Sequence, residues 1–337
     1  MRVCMWYNNR DVRIEEAPTP SPGPREMLVK VMSCGICGSD VVEWYRLPRA
    51  PLVQGHELGA EVVEVGEALT DYKPGDRVFI APKVPCLKCR TCRDGHYPQC
   101  SVVKERLPGA FAEYVLVPEV LVENGTLPLP DHVSYDQSTF IEPLACAVRA
   151  QRLGGVAEGT SVMVLGCGMS GLLHVKLARA RNAQVTASDI NPRRLAFAQK
   201  AGAATTINAA EDVPERLVAE TGRLADVVVL CTSAMPAVED AWKCVDPGGT
   251  VVVFAVPGPE KPVVVPLNDF WRKEITILTS YYCGPPDWEE SLQLIASGTI
   301  AVDDMVTHIL PLSETEEGFR LVQEGTESLK VVIRPNE

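Results

Sequence analysis

From Thr160 onward, short apolar segments alternate with segments of helical periodicity, and this alternation constrains the fold more than any other feature of the sequence. The apolar segments include SVMVL at 161–165, QVTAS at 184–188 and ADVVVL at 225–230. Such alternation predicts an α/β fold in which parallel strands form a doubly wound sheet. A strand over 275–282 is expected to extend that sheet.

The first of these strands leads directly into GCGMSG at 166–171. Gly166, Gly168 and Gly171 form a G-x-G-x-x-G motif, which permits a tight turn, a close approach of backbone to a pyrophosphate and close packing of helix on strand. The N–H groups at the start of that helix, at Met169 and Ser170, are expected to face the phosphates. The motif predicts a Rossmann dinucleotide-binding domain.

Asp189 closes the second strand of this domain, where a carboxylate accepts hydrogen bonds from the adenosine ribose hydroxyls. Its negative charge would repel the additional phosphate of NADP, so NAD is the expected cofactor. Arg193 and Arg194 follow closely and would weaken that preference. The alternative interpretation is a tight turn with a solvated aspartate.

The sequence before this domain has a different composition. It is rich in Pro and Gly, with short β-branched runs such as LVKVM and AEVVEVG. This composition predicts a β-rich domain with functional loops. The tail of the chain, a helix, an extended piece, a helix and a last strand, is expected to fold back onto it. The predicted domains are therefore 1–146 with 284–337, and 147–283.

Four cysteines lie in the loop VPCLKCRTCRDGHYPQC with the spacing C-x2-C-x2-C-x7-C: Cys86, Cys89, Cys92 and Cys100. Four thiolates from one short loop can close a tetrahedral Zn2+ shell and leave no position for a substrate. The spacing therefore predicts a structural zinc. Four free thiols on a polar loop are the alternative.

A second pair of metal-binding residues, Cys37 in CGICGSD and His56 in GHE, lies nineteen residues apart. A thiolate and an imidazole are typical of a catalytic zinc that needs a third protein ligand and an open position. The residues alone leave that third ligand open between Glu142 and Cys146. A thioredoxin-like pair of Cys34 and Cys37 is disfavoured because no helical pattern follows it.

Several motifs in order along the chain match one family: GICGSD at 35–40, GHE at 55–57, KPGDRV at 73–78, the four-cysteine loop, AFAEY at 110–114, IEPLA at 141–145 and GCGMSG at 166–171. The sequence resembles the zinc-dependent medium-chain alcohol dehydrogenases, and within them the polyol and threonine dehydrogenase branch. The resemblance implies a chaperonin-like (GroES-like) catalytic domain beside the Rossmann domain, with two zinc ions per chain.

The resemblance also implies roles for individual residues. It makes Cys37, His56 and Glu142 the ligands of the catalytic zinc, with Glu57 beside the metal as a supporting or exchanging ligand. Ser39 would hydrogen-bond the substrate oxygen and begin a proton relay. Arg194 would contact the adenosine ribose. In the same way, Lys330 would reach the cofactor pyrophosphate.

The proton relay is one point of departure from the family pattern. Many relatives have a histidine three residues after the serine, whereas this chain has Val42, which cannot carry a proton. The relay is therefore expected to run through the nicotinamide ribose and water, or through Glu43. A pH–rate profile without a limb from a relay histidine is expected.

The expected activity is NAD-linked oxidation of a secondary alcohol of polyol, sugar or cyclitol type to the ketone by hydride transfer. Trp44 and Tyr45 would stack on a ring, and Arg46 and Arg49 would grip a phosphate or carboxylate. The alternatives are a polyol-phosphate, hydroxy-acid or amino-alcohol dehydrogenase, a catalytically silent NAD-binding regulator, and a zinc-free reductase.

The formal net charge of −12 and the pI near 5.0 argue against a nucleic acid or an anionic membrane as partner. No apolar run has the length of a membrane span or a signal peptide, so a soluble cytoplasmic protein is expected. The resemblance implies a homodimer or homotetramer in which the strand at 275–282 extends the sheet across a two-fold axis.

Overall fold

The computed structural model describes all 337 residues, which form two compact units. Met1–Ala145 and Cys283–Glu337 together make one unit, here termed the terminal unit, and Cys146–Tyr282 makes the other, the central unit. No helix in the structure is both long and apolar enough to cross a membrane.

The first part of the terminal unit contains mostly strands, because its β-branched runs are short and bounded by Pro and Gly. The strands are β1 (Arg2–Asn8), β2 (Asp11–Glu16), β3 (Met27–Gly35), β4 (Leu52–Val53), β5 (Glu57–Val65), β6 (Arg77–Ile80), β7 (Tyr114–Val117) and β8 (Thr126–Pro128). The helices are α1 (Glu43–Arg46), α2 (Arg90–Arg93), α3 (Glu119–Gly125), α4 (Tyr135–Ser138) and α5 (Ile141–Leu153), which continues into the central unit.

The central unit alternates strands and helices as the sequence predicts. The strands are β9 (Ser161–Leu165), β10 (Gln184–Asp189), β11 (Thr205–Asn208), β12 (Ala225–Leu230), β13 (Val245–Val253) and β14 (Thr276–Thr279). The helices are α6 (Met169–Ala180), α7 (Pro192–Ala201), α8 (Val213–Thr221), α9 (Met235–Cys244) and α10 (Leu267–Lys273). Local sequence signals set where these helices begin and end, as α7 illustrates. The Asn191 side chain caps the start of α7, and Gly202, with a φ of +108°, ends it.

The strands of the central unit form one parallel sheet in the order β11-β10-β9-β12-β13-β14. This is the doubly wound Rossmann order, in which the direction of winding reverses between β9 and β12. The carboxyl ends of the strands beside that reversal are where such sheets bind dinucleotides. The predicted fold class is confirmed.

The predicted strand over 275–282 is shorter in the structure, where β14 covers only Thr276–Thr279. Its partner β13 ends at Val253, which pairs with Thr279, so a longer strand would have no backbone partner on that side. Tyr282 then adopts a φ of +61°, which turns the chain out of the sheet direction.

The terminal unit is completed by α11 (Pro285–Ala296), β15 (Val306–Pro311), α12 (Thr315–Glu324) and β16 (Lys330–Arg334). Strand β16 pairs antiparallel with β3, which makes a sheet in the order β15-β16-β3-β5-β6-β8, with β7 also paired to β3. The C-terminal strand therefore lies beside β3, whose end carries Gly35. The segment containing Cys37 follows directly.

Candidate active site

The glycine motif has the backbone conformation that dinucleotide binding requires. Gly166, directly after β9, has a φ of +93°, a conformation that side chains disfavour. A Cβ on Gly171 would overlap the carbonyl oxygen of Gly166, so the helix can approach the strand this closely only with glycine there. Gly168 is the N-cap of α6, and Met169 and Ser170 form its first turn.

Asp189 ends β10 next to this turn and is held by the backbone. Its Oδ2 accepts a hydrogen bond from the Cys167 N–H at 2.7 Å, and its Oδ1 accepts one from the Asn191 N–H at 2.8 Å. Arg194 lies with Nη1 3.8 Å from Oδ2. The carboxylate is thus fixed at the carboxyl end of the strand, where the sequence predicts ribose recognition, with a guanidinium close to it.

The four cysteines of the loop converge on one point. The Sγ atoms of Cys86, Cys89, Cys92 and Cys100 all lie within 4.8 Å of one another. The backbone N–H of Cys86 points at the Sγ of Cys100 at 3.3 Å, and that of Cys89 points at the Sγ of Cys86 at 3.3 Å. Burial raises the pKa of Cys100, but backbone N–H groups, including that of Cys86, outweigh burial and lower it, whereas burial raises the pKa of Cys92. Four thiols that converge in this way within one short loop fit a structural zinc.

A second group of metal-binding atoms lies at the ends of β3 and β5. The ligand atoms of Cys37, His56 and Glu57 lie within 4.8 Å of one another. Cys37 is the N-cap of a 3-10 turn over Gly38–Val41, and the Ser39 N–H points at its Sγ at 3.4 Å. One thiolate, one imidazole and one carboxylate form a donor set that suits a catalytic zinc with an open position.

His56 is positioned by its neighbours in the loop before β5. Gly55 has a φ of +95°, and a Cβ there would come within 2.8 Å of the Phe111 backbone nitrogen. The His56 Nδ1 lies 3.4 Å from Oδ1 of Asp40, a fully buried carboxylate, which leaves Nε2 for a metal. Such a carboxylate–histidine pair orients a metal-binding imidazole.

The same contacts govern the ionisation of the site. Burial lowers the pKa of His56, but the Asp40 carboxylate outweighs burial and raises it well above its usual range. Burial and the nearby Glu57 carboxylate raise the pKa of the Cys37 thiol. Metal binding must therefore displace protons from both residues, and it becomes weaker as the pH falls.

Glu57 makes one contact that the sequence did not indicate. One of its carboxylate oxygens, Oε2, pairs with Nζ of Lys330, and both side chains are fully buried. The other oxygen, Oε1, is buried and has no hydrogen-bond partner. A buried carboxylate oxygen left in this way beside a thiol and an imidazole is what a metal ligand requires, so the residues present fit a zinc ion.

Lys330, which is expected to reach the cofactor pyrophosphate, pairs with Glu57 in this structure, and its contact with the pyrophosphate stays a prediction. Its side chain passes over Gly35, where a Cβ would overlap Cε of the lysine, and its ammonium lies 5.0 Å from the ring centroid of Phe140. Strand pairing explains the placement, because Gly35 on β3 is opposite both Val332 on β16 and Glu57 on β5.

Glu142, predicted as the third zinc ligand, is grouped differently. It is buried in the first turn of α5, and its carboxylate lies within 4.8 Å of the Cys283 Sγ. Cys146 follows one turn later on the same helix. The structure therefore brings Glu57, rather than Glu142, together with Cys37 and His56.

Ser39 is partly buried, and its hydroxyl accepts a hydrogen bond from Nη2 of Arg46 at 2.8 Å. Glu43, considered as a relay group, is exposed and accepts from the Asn9 N–H at 3.0 Å. The Arg49 guanidinium stacks 4.8 Å from the Tyr45 ring centroid.

Two family models match the chain in separate parts. Residues 23–131 match the model described as alcohol dehydrogenase GroES-like domain, and residues 171–297 match the one described as zinc-binding dehydrogenase. The first range contains Cys37, His56 and the four-cysteine loop. The second contains Gly171 and Asp189.

Individual proteins are similar over almost the whole chain. A sorbitol dehydrogenase of Rattus norvegicus is 33% identical, over 97% of this chain and 94% of its own. A D-xylulose reductase A of Aspergillus oryzae is 32% identical, over 96% and 93%. Among solved structures, galactitol-1-phosphate dehydrogenase from Escherichia coli superposes with a TM-score of 0.88 at 26% identity, covering 99% of this chain and 100% of that one.

Proposed function

The chain belongs to the zinc-binding alcohol dehydrogenase family, and on that basis we propose that it oxidises a secondary alcohol of polyol, sugar or cyclitol type to the ketone, with NAD as hydride acceptor. The observation that supports this most is the convergence of Cys37, His56 and Glu57, with one buried carboxylate oxygen left without a partner. The cluster of Cys37, His56 and Glu57 and the cluster of four cysteines both lie in the terminal unit, which supports one zinc for catalysis and one for structure.

The roles of the protein groups follow from their contacts. Cys37 and His56 would hold the catalytic zinc, and the observed grouping favours Glu57 as the third ligand over Glu142. A zinc ion supplies Lewis acidity that lowers the pKa of the substrate hydroxyl, and NAD accepts the hydride. Asp40 keeps the His56 ring oriented, and Ser39 offers its hydroxyl to the substrate oxygen.

The contacts of two arginines favour an unphosphorylated substrate. Arg46 is 11% exposed, and its guanidinium is already engaged by Ser39 and Asp40. Arg49 stacks on Tyr45 and donates to the Tyr45 carbonyl oxygen at 3.3 Å. The Arg46 cation is thus already paired with a buried carboxylate, and the Arg49 side chain is directed toward Tyr45, whereas Trp44 is 46% exposed and available to pack on a ring or a polyol chain. A polyol phosphate, which one relative's name specifies, is the second candidate.

The experiment that tests the activity combines metal analysis with a substrate panel. We expect two zinc ions per chain and NADH formation with unphosphorylated polyols, sugars or cyclitols, and weaker activity with their phosphates. The Cys37→Ser variant should retain the four-cysteine zinc, lose the other, and lose activity. One zinc per chain and no turnover would instead identify a silent NAD-binding regulator, and turnover without zinc would identify a zinc-free reductase.

We also propose a homodimer or homotetramer assembled through the central unit. Strand β14 is an edge strand paired only with β13, and its Ile277 is 37% exposed. The chain before and after β14 carries more exposed apolar side chains: Val264 at 82%, Trp271 at 78%, Leu267 at 68% and Tyr281 at 56%. An open edge with exposed apolar residues suits pairing with a second copy across a two-fold axis. Light scattering of the wild type and of Trp271→Glu tests this, since a monomeric wild type contradicts it.

A cytoplasmic location completes the proposal. The four-cysteine site and the Cys37 site both need reduced thiols, which the cytoplasm maintains. Fractionation of cells that express the protein at its natural level tests this expectation.

A further inference from the structure

The side chain of Arg46 makes three hydrogen bonds to two consecutive residues of the Cys37 turn. Its Nε donates to the Ser39 carbonyl oxygen at 3.0 Å, and its Nη2 donates to the Ser39 Oγ and to the Asp40 Oδ1, both at 2.8 Å. Arg46 is the last residue of the short helix α1, and its side chain extends back to the turn that contains Ser39. These three hydrogen bonds, here termed the Arg46 clamp, hold the serine at both its backbone and its hydroxyl.

The chemistry of these donors fixes the direction of the Ser39 hydroxyl. A guanidinium has only donors, so the Ser39 Oγ must accept from Arg46 and cannot give it a proton. The Val42 side chain, three residues after the serine, has no acceptor either. The hydroxyl hydrogen and the second lone pair of Ser39 are therefore left for a group outside this network, and Ser39 lies two residues after Cys37, whose Sγ accepts from the Ser39 backbone N–H at 3.4 Å.

Asp40 connects the clamp to the zinc-binding residues. Its Oδ1 receives the Arg46 hydrogen bond and lies 3.4 Å from Nδ1 of His56, and its Oδ2 accepts from the Cys37 N–H at 3.1 Å. This carboxylate is fully buried, so a charged partner is needed to keep it ionised. Arg46 is therefore attached at the same time to the serine and to the aspartate that orients the histidine.

We propose that Arg46 is a positioning residue that holds the Ser39 hydroxyl toward the substrate oxygen. The proposal rests on the alcohol dehydrogenase function proposed above. In alcohol oxidation, the hydride would pass to NAD and the substrate hydroxyl proton would leave through the nicotinamide ribose and water. The clamped Ser39 hydroxyl would then hydrogen-bond the substrate oxygen as negative charge develops on it, and the adjacent guanidinium makes this hydroxyl a stronger donor. No proton passes through Arg46 itself.

The kinetic test compares Arg46→Gln and Arg46→Lys with Arg13→Gln as a matched control. Like Arg46, Arg13 stacks on a tyrosine ring and pairs with an aspartate, but its partners are Tyr7 and Asp11 in the β1–β2 hairpin. We expect kcat to fall about 10- to 100-fold in both Arg46 variants, with KM changed less than about threefold and two zinc ions retained. Arg46→Lys keeps a positive charge beside Asp40 but lacks the guanidinium that also hydrogen-bonds Ser39. This variant therefore tests the serine contact separately from the ion pair.

A double mutant then shows whether Arg46 acts through the serine. In the Ser39→Ala background, Arg46→Gln should lower kcat by less than about twofold more, because the group that it positions is already absent. Full additivity of the two losses would overturn the proposal, and so would an equal loss in Arg13→Gln.

A readout that does not depend on turnover separates this inference from the proposed function. Crystal structures of the wild type and of Arg46→Lys, each with zinc bound, should show one Ser39 rotamer in the wild type and a rotated or divided one in the variant. An unchanged single rotamer in the variant overturns the proposal even if the enzyme is active. A changed rotamer in a protein that turns over no alcohol supports the clamp and instead contradicts the proposed function.

Discussion

Lys330 and Glu57 are 273 residues apart in the chain, yet their side chains form an ion pair that is fully excluded from solvent. Strand β3 lies between their two strands, and the lysine crosses it at Gly35, the one position where no side chain blocks the path. The pair leaves only the second oxygen of Glu57 free to bind a metal. The C-terminal strand therefore takes part in shaping the candidate zinc site.

Replacing Lys330 should lower the free energy of unfolding. In Lys330→Met the Glu57 carboxylate would stay buried without its cation, and breaking a buried pair from one side destabilises proteins by about 3–5 kcal/mol. Urea unfolding of the wild type and the variants, each holding only the four-cysteine zinc, measures this, because Glu57→Gln is expected to lose the other ion. The double variant Lys330→Met with Glu57→Gln should be more stable than Lys330→Met alone. If the two changes are simply additive, the pair is not what stabilises this region.

Zinc content should distinguish the two candidate third ligands. We expect Glu57→Gln to lose most of one of the two zinc ions, because an amide is a much weaker zinc ligand than a carboxylate. Glu142→Gln should retain both ions, since its carboxylate is grouped with Cys283 rather than with Cys37. Metal analysis after dialysis against a weak chelator measures this. Loss of zinc in Glu142→Gln, with none in Glu57→Gln, would restore the original prediction from the family resemblance.

Cofactor preference should depend on Asp189. With its carboxylate fixed by two backbone amides, the side chain cannot turn away from a 2′-phosphate. A repulsion of about 1.4 kcal/mol gives a tenfold preference for NAD. Asp189→Gly should therefore raise the ratio of kcat/KM for NADP over NAD by about tenfold or more, helped by Arg194 at 3.8 Å.

The matched control for this change is Asp212→Ala, which removes an exposed aspartate that caps α8 in the same unit. It should leave the cofactor ratio as in the wild type. A wild-type enzyme that already prefers NADP would remove the role given to Asp189.

His174 should make stability depend on pH. Burial in α6 lowers the pKa of this imidazole to about 3, and its Nδ1 lies 3.3 Å from the Gln151 side-chain nitrogen. Below the pKa of 6.5 that His174 has in the unfolded chain, the unfolded state binds a proton and the native state does not. The free energy of unfolding therefore decreases as the pH falls from about 6.5 toward 3. At pH 5 this group should cost about 2 kcal/mol relative to pH 7.

Unfolding of His174→Gln at a series of pH values tests this expectation, since glutamine cannot titrate. The variant should lose less stability than the wild type between pH 7 and pH 5. His132→Gln, a change at an exposed histidine, is the control and should follow the wild type. Equal acid sensitivity in His174→Gln and the wild type would contradict the prediction.

The sequence by itself determined the features that are built from neighbouring residues. The alternation of strands and helices predicted the parallel sheet, because the spacing of apolar residues within each short segment indicates whether it forms a strand or a helix. The glycines at 166, 168 and 171 and the four cysteines of one loop predicted their sites for the same reason. Such motifs bring their own atoms together through local backbone geometry alone.

Only the tertiary structure decided which distant groups meet. The grouping of Glu57 with Cys37 and His56 depends on the pairing of β3 with β5, and the Lys330 contact depends on the arrival of β16 from the other end of the chain. No spacing in the sequence encodes these contacts, because strand register and side-chain burial are fixed only when remote segments pack against each other.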